Sequence, residues 1–231
     1  MSEYMKDPVA AKARFRLTFT ESLLGTSPGN SDVYRDYLQK KMMADAAKNG
    51  IELEKIQSNI AEEADVLGAV EETANKAKTV FPKDENGKPF LWDYQIRGGF
   101  KSACQALKKV SGSLSSGIKA YKKLVDTGVF IEERRIPIVF DGEIGECQRP
   151  LRASTPQGER VSIAVSEEIP AGAVVEFTVL VFDRASLNLV REWLSYGKYN
   201  GLLQWRNGGH GRFLWEELDG SGKVVDGNVD A

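Results

Sequence analysis

The chain has 231 residues, with 31 Lys+Arg against 33 Asp+Glu, 42% hydrophobic and 28% charged residues. That is an ordinary globular mix with room for one large core or two small ones, and it excludes wholesale disorder. A single histidine (His210) and two cysteines in unrelated surroundings (Cys104, Cys147) exclude histidine metal clusters and a disulfide framework, and leave histidine-dependent catalysis only at a site built around His210.

Ala13–Thr20 alternates apolar and polar residues and reads as a half-buried strand. Leu23 to Asn30 reads as a Gly/Pro loop, after which Ser31 or Asp32 can cap a helix through Tyr34, Leu38, Met42 and Ala46 that stops at Asn49-Gly50. Glu52–Thr79 is helical by composition, with a thin apolar stripe through Ile56, Ile60 and Val70. From Glu52 to Glu72 it carries seven acids against Lys55 alone. The region from about 32 to 80 is therefore expected to be a peripheral helical insertion. Its acidic face is either merely solvated or a dock for a basic partner, including a neighbouring copy.

Phe81–Pro89 is a turn-rich linker. Gln95-Ile96-Arg97-Gly98-Gly99-Phe100-Lys101 then reads as a glycine turn opening a helix through Ala103, Leu107 and Val110. From Tyr94 to Val125 there is no acid, while Arg97, Lys101, Lys108, Lys109, Lys119, Lys122 and Lys123 occur. A short helix at Ile118–Val125 leads into strands at Val129–Ile131, Arg134–Phe140, Glu146–Leu151, Arg160–Val165 and Ala173–Phe182. Leu187–Tyr196 is a helix with Val190, Trp193 and Leu194 on one face. A second acid-free window, Trp193 to Trp215, holds Asn207-Gly208-Gly209-His210-Gly211-Arg212 and feeds a last strand at Phe213–Glu216. The tail from about 219 to 231 is Gly- and Asp-rich and expected to fray.

Strands and helices segregate, so the expected class is α+β. A ferredoxin-like, RNA-recognition-type β-α-β-β-α-β core with a helical insertion accommodates the order, in one domain over 1–231. Ala13–Thr20 and Ala173–Phe182 should share a sheet.

Two clusters carry candidate chemistry. Gly98 and Gly99 at a helix start would offer backbone N–H groups and the helix dipole to a phosphate, with Arg97 and Lys101 adding charge and Lys108 and Lys109 extending the surface. The bland alternative is a tight turn packing the helix on the sheet. Gly208, Gly209 and Gly211 would let the backbone approach a phosphate, while Trp205, Arg206, His210 and Arg212 combine flat rings with cations suited to stacked bases. The bland alternatives are a core Trp205 and an exposed loop His210.

Three pieces in this order resemble the RAMP superfamily (repeat-associated mysterious proteins) of CRISPR systems: a first strand running into Leu23-Leu24-Gly25-Thr26, the Gln95–Ala103 glycine-and-lysine segment, and the glycine loop Gly208–Phe213 before a last strand. The resemblance implies a backbone-type subunit coating single-stranded guide RNA in an antiviral ribonucleoprotein. Its partners would be RNA and head-to-tail copies of itself or other CRISPR-like subunits. An alternative is a decoy of the same fold that inhibits such a complex without binding RNA; last comes an RNA endonuclease using His210 or Asp32. Catalytic residues, cofactor and metal are expected to be absent. The N-terminus carries no apolar signal core and no run approaches the ~20 apolar residues of a membrane span, so a cytoplasmic protein with no membrane partner is expected.

Overall fold

The computed structural model describes residues 8–28, 78–155 and 158–228. The expected helix after Asp32, the Asp32 cap and nearly all of the acidic insertion lie outside the described residues. The end of that insertion is corrected: Lys78 and Thr79 begin a strand, not a helix end.

The chain divides into two compact units. The larger comprises 1–23, 91–143 and 169–231. Its sheet contains β1 (Ala11–Phe19), β6 (Val129–Ile131), β10 (Val174–Val181), β11 (Phe213–Leu218) and β12 (Val224–Gly227), and its helices are α1 (Asp93–Leu107), α2 (Tyr121–Gly128) and α3 (Ala185–Ser195). The strand order is β12-β11-β1-β10-β6, every pair antiparallel. A separate two-stranded ladder joins β5 (Phe90–Trp92) to β7 (Arg135–Pro137). Leaving out the added edge β12, the sequence β1-α1-β6-β10-α3-β11 is the expected β-α-β-β-α-β unit. β1 and β10 are direct neighbours, with Phe15 opposite Phe177.

Period-2 alternation produces this layering. In β1, Ala13, Phe15, Leu17 and Phe19 are buried; in β10, Val175, Phe177, Val179 and Val181 are. That face is covered by Ile96 and Phe100 of α1 and by Val190, Trp193 and Leu194 of α3, with Phe100 against Trp193 at 5.7 Å between centroids. The space left among Leu17, Phe100, Trp193 and Phe213 is about 10 Å³, too small for a ligand.

The opposite face of the sheet is crossed by ion pairs. Glu176 accepts from Arg14 at 2.5 Å and Arg16 at 2.8 Å, Arg16 reaches Glu216 at 3.6 Å, and Lys12 meets Glu132 at 2.5 Å. Burial alone would raise the Glu176 pKa, but the hydrogen bonds from Arg16 and Arg14 outweigh it and hold the carboxyl below its ordinary value. The register puts Lys12, Arg14, Arg16 and Thr18 of β1 beside Val174, Glu176, Thr178 and Leu180 of β10 and Leu214 and Glu216 of β11. None of these is aromatic, so the stacking platform that RNA-recognition sheets present on their open face has no counterpart on these three strands.

The smaller unit comprises 24–90 and 144–168. Its long hairpin pairs β8 (Gly145–Thr155) with β9 (Gly158–Ile169), extending both expected strands. β9 lies parallel to β4 (Lys78–Val80), and β4 pairs with β3 (Ser27–Pro28). The segment read as a plain loop thus contributes β3 and the short β2 (Leu23–Leu24). Buried Glu167 accepts from the Phe81 N–H at 3.0 Å and from Lys83 at 2.9 Å.

The tail is also corrected. Asp219 accepts from the N–H groups of Ser221 and Lys223, forming a turn that returns β12 antiparallel to β11. Side-chain oxygens of Asp commonly hold turns in this way, so 224–227 is strand rather than fray.

Candidate nucleic-acid interface

The first candidate cluster is rebuilt by the structure. Gly98 and Gly99 do not open a helix; they lie inside α1, which begins at Asp93. The Trp92 N–H donates to the Gln95 side chain at 2.8 Å, so the helix starts one turn earlier than glycine punctuation suggests. The helix-dipole phosphate site expected at Gly98-Gly99 is therefore absent. Gly98 has open space around it, whereas a Cβ on Gly99 would collide with the Leu202 side chain. Gly99 is thus a close-packing position, near to the bland alternative.

The cations beside these glycines are engaged by acids standing just outside the acid-free window. Arg97 donates to Asp93 at 3.1 Å, one turn back on the same helix, and Asp93 also accepts from Arg134 at 2.6 Å. Lys101 meets Asp126 of α2 at 2.5 Å. Arg134 further lies 4.9 Å from the Trp92 ring centroid, a cation–π contact that the sequence did not signal.

The second cluster is held differently. After α3 the chain makes a 3-10 turn (Tyr196–Lys198), and a second (Arg206–Gly208) precedes β11. Leu203 and Trp205 take left-handed backbone angles, φ 67° and 51°, and Gly209 and Gly211 take 93° and 69°. Left-handed non-glycine residues cost energy and persist only where their surroundings enforce them. Here the enforcement is visible. A Cβ on Gly201 would strike the Gly211–Arg212 backbone, one on Gly211 the Leu202 carbonyl, and one on Gly197 the Phe213 ring. The Leu202 N–H donates to Gly211 O at 2.9 Å, and the Gly211 N–H to Ser22 O at 2.9 Å.

The loop glycines do not cradle an anion with their amides. The N–H groups of Gly208, Gly209 and Gly211 already donate to the carbonyls of Trp205, Arg206 and Ser22. What the loop presents is side chains. Trp205, 43% exposed, stacks on His210 with centroids 5.0 Å apart and planes 14° from parallel. Gly208 lies close under the Trp205 ring, where a Cβ would come within 2.8 Å. His210 Nδ1 is 2.9 Å from Ser22 Oγ, which fixes the imidazole against the turn after β1. Ser22 lies 188 residues away in sequence, and no local signal could have named it. Arg206 and Arg212 are partly exposed and have no carboxylate partner among the described residues; Arg212 Nε is buried without a hydrogen bond there. Phe213, by contrast, is buried against Phe19 at 5.8 Å.

Lys108 and Lys109 lie past the end of α1, both exposed, Lys108 donating to Lys119 O at 3.3 Å. Gly25, between β2 and β3, is packed so that a Cβ would come within 2.5 Å of the Val80 carbonyl carbon. No group of three or more metal-ligating side chains occurs among the described residues, and no described helix is long and apolar enough to cross a membrane.

No known family model and no curated protein matches this chain. A solved structure does. It is a chain of the cryo-EM structure of the Type III-B Cmr-beta bound to cognate target RNA, 10% identical, with a TM-score of 0.44. The match covers 94% of the present chain and 60% of the other, so this chain spans less than two thirds of that neighbour's length.

Proposed function

We propose that this protein is a RAMP-like RNA-binding subunit, and that the loop 205–212 is where it holds single-stranded RNA. The supporting observation is the pre-stacked Trp205–His210 pair in a loop whose two arginines, Arg206 and Arg212, lack acidic partners among the described residues. A ring held in place before binding loses little side-chain freedom when a base stacks on it, and a guanidinium without a carboxylate can take a phosphate without first giving up a partner. With the sheet face ion-paired, this loop offers an aromatic and cationic surface on the larger unit. Guide RNA is the ligand the family resemblance implies, bound by head-to-tail copies or with other CRISPR-like subunits. In this reading His210 serves as a stacking group, its ring lying 14° from parallel to Trp205.

One observation favours the competing reading, a decoy that engages a CRISPR-like complex through protein contacts: Arg97 and Lys101, the strongest sequence candidates for phosphate, are bound to Asp93 and Asp126. Size-exclusion chromatography with absorbance at two wavelengths decides between them. Nucleic acid should copurify with the wild type and be lost with Trp205→Ala. Nucleic-acid-free wild type that binds no added RNA rejects the RNA reading and leaves the decoy.

A further inference from the structure

A second charged surface lies away from the loop. Three links tie the C-terminal half of α1 to α2 and the segment before it: Lys101 to Asp126 at 2.5 Å, Tyr121 Oη to Gln105 Oε1 at 3.0 Å, and Lys108 Nζ to Lys119 O at 3.3 Å. They gather Lys108, Lys109, Lys119, Lys122 and Lys123, all exposed, around the end of one helix and the start of the next. None of the five has a carboxylate partner among the described residues. Two acids lie nearby, and both are committed. Asp126 takes Lys101, and the Glu192 carboxylate accepts from the Leu114 N–H at 2.6 Å, the Ser115 N–H at 3.0 Å and Ser115 Oγ at 2.5 Å. Five cations in one region with no carboxylate partner among the described residues repel one another, a cost that a bound polyanion removes.

We infer that this lysine surface is a separate contact for the sugar–phosphate backbone of RNA, read without regard to sequence. Lysine supplies a mobile point charge rather than a planar fork, no arginine stands among the five, and the one ring between them in sequence, Tyr121, has its hydroxyl bound to Gln105; that is the chemistry of phosphate tracking more than of base readout. Val110 and Leu114 are exposed beside it, as isolated apolar side chains often are. The inference shares its ligand with the proposed function but rests on different residues.

The test is fluorescence anisotropy of labelled uridine and adenosine homopolymer RNAs against the full chain at rising potassium chloride, comparing wild type, the triple variant Lys109→Gln/Lys122→Gln/Lys123→Gln, and Trp205→Ala. All three substituted lysines are exposed and make no side-chain bond among the described residues, so an unchanged melting curve is expected and checks the fold. Removing three phosphate contacts should lower the slope of log affinity against log salt by about two for single strands, equally for both homopolymers. Trp205→Ala should weaken binding at an unchanged slope. A triple variant with the wild-type slope overturns the inference. So does loss of polyglutamate binding with RNA binding intact, which would give the surface to an acidic protein. A lowered slope in the triple variant together with no effect of Trp205→Ala keeps the lysine surface and rejects the loop; wild type that binds neither homopolymer rejects both.

Discussion

Gln95–Lys101 and Trp205–Arg212 use the same residue types, paired glycines flanked by cations in a stretch without acids, and the fold treats them oppositely. In the first, the glycines are absorbed into a helix and the cations are neutralised by Asp93 and Asp126. In the second, Gly211 sits where backbone presses on backbone and Gly208 lies under the Trp205 ring, and Arg206 and Arg212 stay without acidic partners among the described residues. An acid-free window limits only local pairing. One turn of helix brings Asp93 to Arg97, and helix packing brings Asp126 to Lys101, so net charge along the sequence says little about which cations remain available.

The largest test of this contrast is Gly211→Ala. The residue is left-handed at φ 69°, and its Cβ would overlap the Leu202 carbonyl, which cannot swing aside as a side chain can. A loss of about 3 kcal/mol or more is expected in urea unfolding. A loss below about 1 kcal/mol would mean that the loop relaxes and is not the rigid frame described.

Next in size is Trp205→Ala, expected to weaken RNA binding by about 1–3 kcal/mol with little change in stability. Lys101→Ala should leave the salt dependence of RNA binding nearly unchanged, because its charge already faces Asp126. If Lys101→Ala lowers the slope as a phosphate contact would, the contrast between the two segments fails.

Gly98→Ala inverts the sign. Gly98 sits inside α1, and a Cβ placed there would have nothing within 4 Å. Alanine at this position should stabilise the protein by about 0.5–1 kcal/mol, read as a raised midpoint of unfolding. Destabilisation would show that this glycine has a role that the helix geometry hides.

The smallest expected effect concerns the paired cations of the sheet face. The Glu176 pKa is depressed in the folded chain relative to its ordinary 4.5, so its contribution is present above that value and is lost as pH falls through the folded one. Glu176→Gln should cost on the order of 0.5 kcal/mol at neutral pH, since Arg14 is half exposed. The gap to wild type should close in acid below the ordinary value. A gap constant with pH would show that the ion pairs do not stabilise this face.

The fold was largely legible. The alternation of Ala13–Phe19 and of Val174–Val181 determined two strands, each with one buried face, and the 3.6-residue spacing of Val190, Trp193 and Leu194 determined α3, because these periods follow from backbone geometry alone. The site was legible only in its residue types. Trp205, His210 and Arg212 stood out by chemistry, but the Ser22 contact that fixes His210 joins residues 188 apart. The same limit explains the misplaced helix start. Glycine spacing suggested a turn at Gly98-Gly99, whereas the Gln95 cap on Trp92 and the burial of Ile96 and Phe100 carried the helix through it. Periodicity and residue type are local properties, and the sequence by itself determined what depends on them. Which cations were paired with an acid, and which glycines were required by packing, were decided by contacts that exist only in the folded chain.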